Sequence, residues 1–281
     1  MSIMKKLKEY LNRPLSFAVF LLIIISTVIT ALTVVFIIGY IFIKGVPNLS
    51  LDLFPLKYSS SNQSMLPSII NTVYLTALTL LLSVPIGIFS AIYLAEYSRK
   101  NSFFVKIINI ANETLSGIPS IVYGLFGFLA FVISKKWGYS LLAGVITLAI
   151  MVLPLIIRTS QEAMLGVDNT FREASYGLGA GKLRTVFKIV LPSAMPGILS
   201  GIILAIGRIV GETAALIYTA GTVPEAATKL TSSSRTISVH LYCLLNEGLY
   251  TEQAYATAVV LIVFVVIINA LSNALAKKIM K

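Results

Sequence analysis

The chain of 281 residues contains one cysteine, Cys243, one histidine, His240, and one tryptophan. A lone cysteine excludes a disulfide framework within the chain and any multi-cysteine metal site, and a lone histidine excludes a zinc centre built from several imidazoles. Charge is also scarce. Only 12% of the residues are Asp, Glu, Lys or Arg, against about 25% in an ordinary soluble domain. So few charges cannot cover a compact globule, which excludes a soluble enzyme. Acidic groups are the scarcer sign, 11 against 22 basic, leaving a formal net charge of +11. In a soluble protein that excess would point to nucleic acid; in a membrane protein it marks the loops that face the cytoplasm.

Apolar residues are abundant instead: 57% of the chain, with a mean hydropathy of +0.91. A transmembrane helix needs about 20 apolar residues, and a charge at the bilayer centre costs about 2.5–3.5 kcal/mol. Uncharged runs therefore locate the spans. Six are predicted, at 16–43, 67–95, 107–134, 139–157, 197–219 and 254–276. A cytoplasmic segment, 1–15, precedes them; a cytoplasmic loop covers 158–196 and an external loop 222–253, and 67–276 forms one domain. The first run is too long for a signal-peptide core and is followed by no clear small-residue cleavage site, so it is read as retained. Pro85 and Gly87 predict a kink in the second span, and Gly117, Pro119, Gly124 and Gly127 break or thin the third.

Six spans return the C-terminus to the side of the N-terminus. Fifteen Lys and Arg fall on that side and six on the other, so the positive-inside rule puts both termini in the cytoplasm. Lys135 and Lys136, in a short external turn, are a local exception. The fold class is an all-α membrane protein. The external loop turns apolar from Ile237 to Leu245; a plain loop and a partly buried or re-entrant segment both stay open. Neither His240 nor Cys243 is assigned a chemical role.

In the cytoplasmic loop, Asn169 or Thr170 is expected to cap a short helix beginning near Phe171, which Gly177, Gly179 and Gly181 end. A second helix, 182–190, is expected to stop before Leu191, where Pro192 and Pro196 redirect the chain into the fifth span. Two nucleotide patterns fail here. GxxxxGK[ST] needs Gly at Tyr176 and Ser or Thr at Leu183; GxGxxG begun at Gly177 and Gly179 needs Gly at Lys182, and a preceding strand. No cofactor is expected on this chain. If nucleotide energy is used, another chain binds it.

Glu173, Ala174 and Ser175 are followed by Gly179, then by Ile189, Leu191 and Pro192. This spacing, EAA-x3-G-x9-I-x-L-P with Ser175 in place of the second Ala, resembles the signature of the membrane subunits of ABC importers. GIPSIVYGLFGF in span three, GRIVGETAALIYTAG in span five and SVHLYCLLNEGLYTEQAYATAVVL before span six look like the phosphate-specific permeases of the PstA type. The resemblance covers most of the chain from Leu66 onward. It implies the six-span type I ABC importer permease fold, a coupling helix over 173–179 that docks on an ATPase, and a prokaryotic inner membrane. It also implies a PstC-type partner permease, two copies of a PstB-type ATPase that uses the ATP, an external PstS-type phosphate-binding protein and inorganic phosphate as substrate. Such a chain is a transport subunit without catalytic residues, surrounded by lipid and without a nucleic-acid partner. Three alternatives stay open: a permease for sulfate or molybdate, the PstC-type partner itself, or an ATP-independent anion carrier. Inverted symmetry between halves would favour the carrier, and none is found in the sequence.

Two charges fall inside the fifth span. Arg208 lies 12 residues beyond Pro196, about 18 Å along a helix and near the middle of a ~30 Å hydrocarbon core. Glu212, at i+4, is expected on the same face. The pair reads either as a structural lock or as a translocation-path site. Phosphate oxygens suit a guanidinium fork, so Arg208 is the candidate substrate ligand, with Glu212 holding it between passages. Glu113 is a weaker candidate near the cytoplasmic boundary, where a solvated carboxylate is the alternative.

Overall fold

In the computed structural model the described residues are 14–59, 61–98 and 102–279. The expected cytoplasmic segment lies outside them except for its last two residues, as do Arg99, Lys100 and Lys281 of the charge count. The described chain is helical throughout, without a strand. Helix α1 (Pro14–Gly45) is followed by α2 (Leu66–Ile92), which widens into a π-type turn at Tyr93–Tyr97. Next come α3 (Phe103–Gly117) and α4 (Ser120–Gly127), the latter widening at Phe128–Ser134, and then α5 (Leu141–Leu165). The connection after α5 holds α6 (Asn169–Gly177) and α7 (Lys182–Thr185), and α7 passes through a π-type turn at Val186–Val190 into α8 (Leu191–Gly211). Last are α9 (Ala214–Thr219), α10 (Ile237–Glu247) and α11 (Thr251–Ile279). Five helices are long and apolar enough to cross a membrane, and the bent pair α3–α4 makes a sixth crossing if counted as one.

Helix α5 is the hub. Leu148 and Ile156 are fully buried, and α2 and α8 pack on either side of it. Gly87 lets α2 approach closely, since a Cβ there would lie 2.6 Å from Ile156 Cγ2. Helix α1 has none of its apolar window buried and touches the body along α11, where the Tyr40 and Tyr255 rings meet at 6.0 Å. A helix apolar on every side belongs in lipid or against another membrane subunit.

Four sequence expectations are changed by the structure. The stretch read as one third span is two helices meeting at 100°. Pro119 has no N–H and pushes Ile118 into extended conformation (φ −72°, ψ 130°), so of the break or thinning expected here the break occurs, and what is new is the 100° bend. The coupling helix is capped one residue earlier than expected: Asp168 Oδ1 accepts the Thr170 N–H at 2.9 Å, and the helix starts at Asn169. The break expected before Leu191 does not occur, and 182–211 is one continuous rod. Pro192, which has no N–H to donate, directly follows the π-type turn at Val186–Val190, and that wider turn accommodates the proline inside the continuous helix. Finally, span five breaks after Gly211, separating Arg208 from Glu212.

Candidate functional site

Arg208 is half-buried in the last turn of α8, where the carbonyl end of the helix favours a cation. Glu212 does not share its face. The helix has ended, Glu212 is extended (φ −72°, ψ 132°), and its Oε1 accepts the Ala215 N–H at 3.0 Å. The carboxylate is 8% exposed and caps α9, where orphan N–H groups favour an anion. The expected i+4 ion pair is therefore absent, because the i+4 relation holds only while the helix continues. Among the described residues the ion pairs are Arg158 with Glu162 and Arg172 with Glu96. Arg208 is left with no carboxylate partner.

Two helix breaks meet around this arginine. Buried Tyr123, at the start of α4, shares a core cluster with Ile209, the residue after Arg208, and with Ala215, and its hydroxyl donates to Leu115 O at 2.8 Å across the Gly117–Pro119 break. Helix α4 packs directly on α9, since a Cβ on Gly124 would lie 2.8 Å from Ala215 Cα. At the second break Ser238 Oγ of α10 donates to Glu212 O at 2.6 Å, holding that break open. Irregular backbone at membrane depth is tolerated where it is buried in protein or lines a pathway. Tyr123 and Ser238 were not singled out by the sequence reading. Gly211 followed by Glu212 and Thr213, a helix-stop residue before two capping types, is the signal that marks this break.

Glu113 is not part of this cluster. It lines a polar cleft of about 180 Å³ with Asn109, Asn112, Gln161 and the exposed Arg158–Glu162 pair.

The coupling segment divides its residues between two faces. Glu173 and Ala174 are exposed, and Gly179 has the positive φ (81°) that turns the chain. Phe171, Ala174, Leu178 and Ile189 line an open groove with Arg184 and Lys188. Ser175, the departure from the signature, is buried and shares a hydrogen bond of 2.8 Å with Thr185, fastening α6 to the base of span five. Leu191 is half-buried and Pro192 exposed at the start of α8. Arg172, counted in the sequence only as a charge, binds Glu96 Oε1 through Nη2 at 2.7 Å and Nε at 3.1 Å. It also donates to Met164 O at 2.8 Å and Val167 O at 2.7 Å. One side chain thus ties α6 to the C-terminal ends of α2 and α5.

Residues 83–281 match the family model of the binding-protein-dependent transport system inner membrane component. The chain is 32% identical over 249 residues to the probable ABC transporter permease protein YqgI of Bacillus subtilis, covering 82% of this chain and 84% of that one. It is 35% identical over 230 residues to the phosphate transport system permease protein PstA of Pasteurella multocida, covering 80% and 81%. Among solved structures, a chain of the bacterial ABC transporter involved in alginate import superposes with a TM-score of 0.67 at 18% identity, covering 99% of this chain and 100% of that one. The MetNI methionine ABC transporter gives 0.58 at 17%, covering 76% and 94%. At these identities the solved structures speak for the fold alone. The chain belongs to the family of inner membrane components of binding-protein-dependent transport systems. It is a multi-pass permease subunit of an ABC importer, a transport subunit rather than an enzyme.

Proposed function

We propose that this ABC importer permease carries inorganic phosphate inward as the PstA-type half of a permease pair, driven by ATP hydrolysis on separate subunits. The observation that carries the reading is the Arg208 guanidinium, half-buried beside two facing helix breaks and without a carboxylate partner, because Glu212 is engaged at Ala215. A free planar donor fork at membrane depth suits a tetrahedral oxyanion. The relatives named for phosphate transport support that anion over sulfate or molybdate. Glu212 acquires a different role from the one expected. Rather than pairing with Arg208, it remains nearby as a fixed negative charge, which keeps the anion from being trapped.

The partners follow from the same reading: a PstC-type permease, two PstB-type ATPases and a PstS-type binding protein. The exposed Phe171, Ala174 and Leu178 of the coupling segment are the surface offered to the ATPase. ATP binding would draw the two coupling helices together and open the pathway outward, and hydrolysis would reset it. The excess of Lys and Arg on the coupling-loop side supports cytoplasmic termini.

The test is ATP-driven phosphate uptake by proteoliposomes holding the four-component transporter, with assembly verified by size exclusion. Arg208→Gln should lower uptake at least tenfold, and Glu113→Gln should leave it within twofold. Undiminished uptake by the Arg208 variant would refute the site, and ATP-independent flux through the isolated chain would refute the importer reading.

A further inference from the structure

A second arginine is buried in the outer part of the molecule. Arg235, at the end of the loop between α9 and α10, is 4% exposed, and among the described residues no carboxylate pairs with it. Its guanidinium carbon lies 4.7 Å from the centroid of the Tyr58 ring. Such a contact offsets only part of the cost of desolvating a full charge. Two of its nitrogens, Nε and Nη2, are buried without an acceptor, and the Cys243 thiol beside the guanidinium, its pKa pushed up by burial, supplies no negative charge to balance it. They form one edge of the guanidinium, with two parallel N–H bonds spaced for two oxygens of a single anion.

His240 stands against the same tyrosine. It is completely buried, its ring meets that of Tyr58 edge-on at 6.4 Å, and the Gln63 backbone lies close enough to take one ring N–H, which leaves the other nitrogen bare. Burial pushes its pKa down to about 3, and the Arg235 charge adds to the shift. The imidazole is therefore neutral near pH 7 and offers one N–H donor and one bare nitrogen acceptor. Tyr58 is itself fixed, its hydroxyl donating to Gln63 Oε1 at 2.6 Å.

The backbone that carries these groups is held rigidly. Asn71 of α2 donates to Arg235 O at 3.1 Å and to Glu225 O at 2.9 Å, and accepts from Ala227 N at 2.8 Å. Thr72 Oγ1 accepts the Ile237 N–H at 2.9 Å. Three residues beyond Arg235, Ser238 bonds to Glu212 O, so the cluster is wired to the break beside Arg208. Most buried polar groups are hydrogen-bonded, and the other unpaired buried side chains here are neutral hydroxyls, an amide and the imidazole, whereas Arg235 carries a full charge. A preorganised guanidinium edge without a counter-charge calls for an anion.

We infer that Arg235 and His240 form a second oxyanion subsite, outward of Arg208, through which the transported anion passes in a protonated form. Arg235 holds two oxygens on its free edge, and the bare nitrogen of His240 accepts the hydrogen of the anion's hydroxyl. The identity of the anion rests on the phosphate reading above. Phosphate carries such a hydroxyl near neutral pH and sulfate does not, so the pair selects between them.

A buried charge without a counter-charge destabilises the fold, so a purely structural Arg235 and a ligand-binding one respond oppositely to replacement by an apolar chain of similar length. The experiment uses the complete transporter, with melting temperature measured in detergent with and without inorganic phosphate, and uptake measured in proteoliposomes. Arg235→Met should melt no lower than wild type without phosphate, lose the phosphate-dependent rise in melting temperature and cut uptake at least tenfold. His240→Phe should bring the phosphate and sulfate responses to within twofold of one another. A lower melting temperature for Arg235→Met with uptake per assembled transporter within twofold of wild type would overturn the inference. If that variant does not assemble, Arg235→Lys keeps the charge and removes the edge. Uptake at least fivefold lower supports the subsite, and unchanged uptake overturns it. A wild-type transporter that takes up no phosphate overturns the phosphate reading itself, a result visible before any Arg235 variant is made.

Discussion

Truncating Arg172 to alanine should release the coupling helix from the membrane domain. The Arg172 and Glu96 side chains are 13% and 6% exposed and meet at 2.7 Å, and the same guanidinium satisfies Met164 O and Val167 O. Removing one member of a buried pair strands the other, at about 3–5 kcal/mol. Arg172→Ala falls at the upper end of that range, because it leaves a nearly inaccessible carboxylate without a donor and frees two carbonyls. Glu96→Ala falls at the lower end, because the guanidinium keeps both carbonyls and some contact with water. Arg172→Met combined with Glu96→Leu strands no charge and should be milder than Arg172→Ala alone. Hydrogen exchange of the α6 amides reads the effect locally. At about 1.4 kcal/mol per tenfold, a cost near 5 kcal/mol is a factor of about a thousand or more, so exchange in Arg172→Ala should rise by about that factor or reach the limit of free exchange. Rates within twofold of wild type, or a double variant less protected than Arg172→Ala, would refute the idea that this pair anchors the helix.

Gly124→Val drives a side chain into the Ala215 backbone, 2.8 Å from the position of the first added carbon, and should cost about 1–3 kcal/mol or more; an unchanged melting temperature would show that α4 and α9 do not pack as described. Leu178 is 89% exposed, so Leu178→Asp should alter stability by less than about 0.5 kcal/mol while weakening capture of the ATPase subunit at least tenfold, and equal capture would remove Leu178 from the docking surface. For His240 the folded pKa of about 3 lies below the unfolded value near 6.5, so the unfolded chain binds the extra proton between them. Stability should therefore be complete above about pH 6.5 and fall as pH drops toward 3, with a slope approaching one proton. In His240→Phe that proton should vanish from the pH dependence of the melting temperature; an identical dependence would mean that His240 is not buried as a neutral group.

Much of this protein is written locally. The apolar runs that become α1, α2, α5, α8 and α11 need only about 20 residues each to state their preference for lipid, because transfer free energy accumulates residue by residue. The signature from Glu173 to Pro192 is legible for a similar reason: its spacing lies within one short stretch of chain. The break at Pro119 is legible too, since proline restricts the residue before it, although the 100° angle is not.

What escaped the sequence is the pairing of polar groups between distant segments. Glu212 reads as a helical neighbour of Arg208 until Ser238, 26 residues on, and the Ala215 N–H draw it out of the helix. Arg235 reads as one of six external charges until Asn71 and Thr72, more than 160 residues earlier, hold its segment inside the molecule. Ser175 reads as a blemish in a motif until it meets Thr185. Composition and periodicity thus decided that the chain crosses a membrane several times and which loop carries the family-like signature. Only the tertiary structure decided which arginines are left without a counter-charge, because a hydrogen bond depends on a few tenths of an ångström between groups whose separation along the chain carries no local signal.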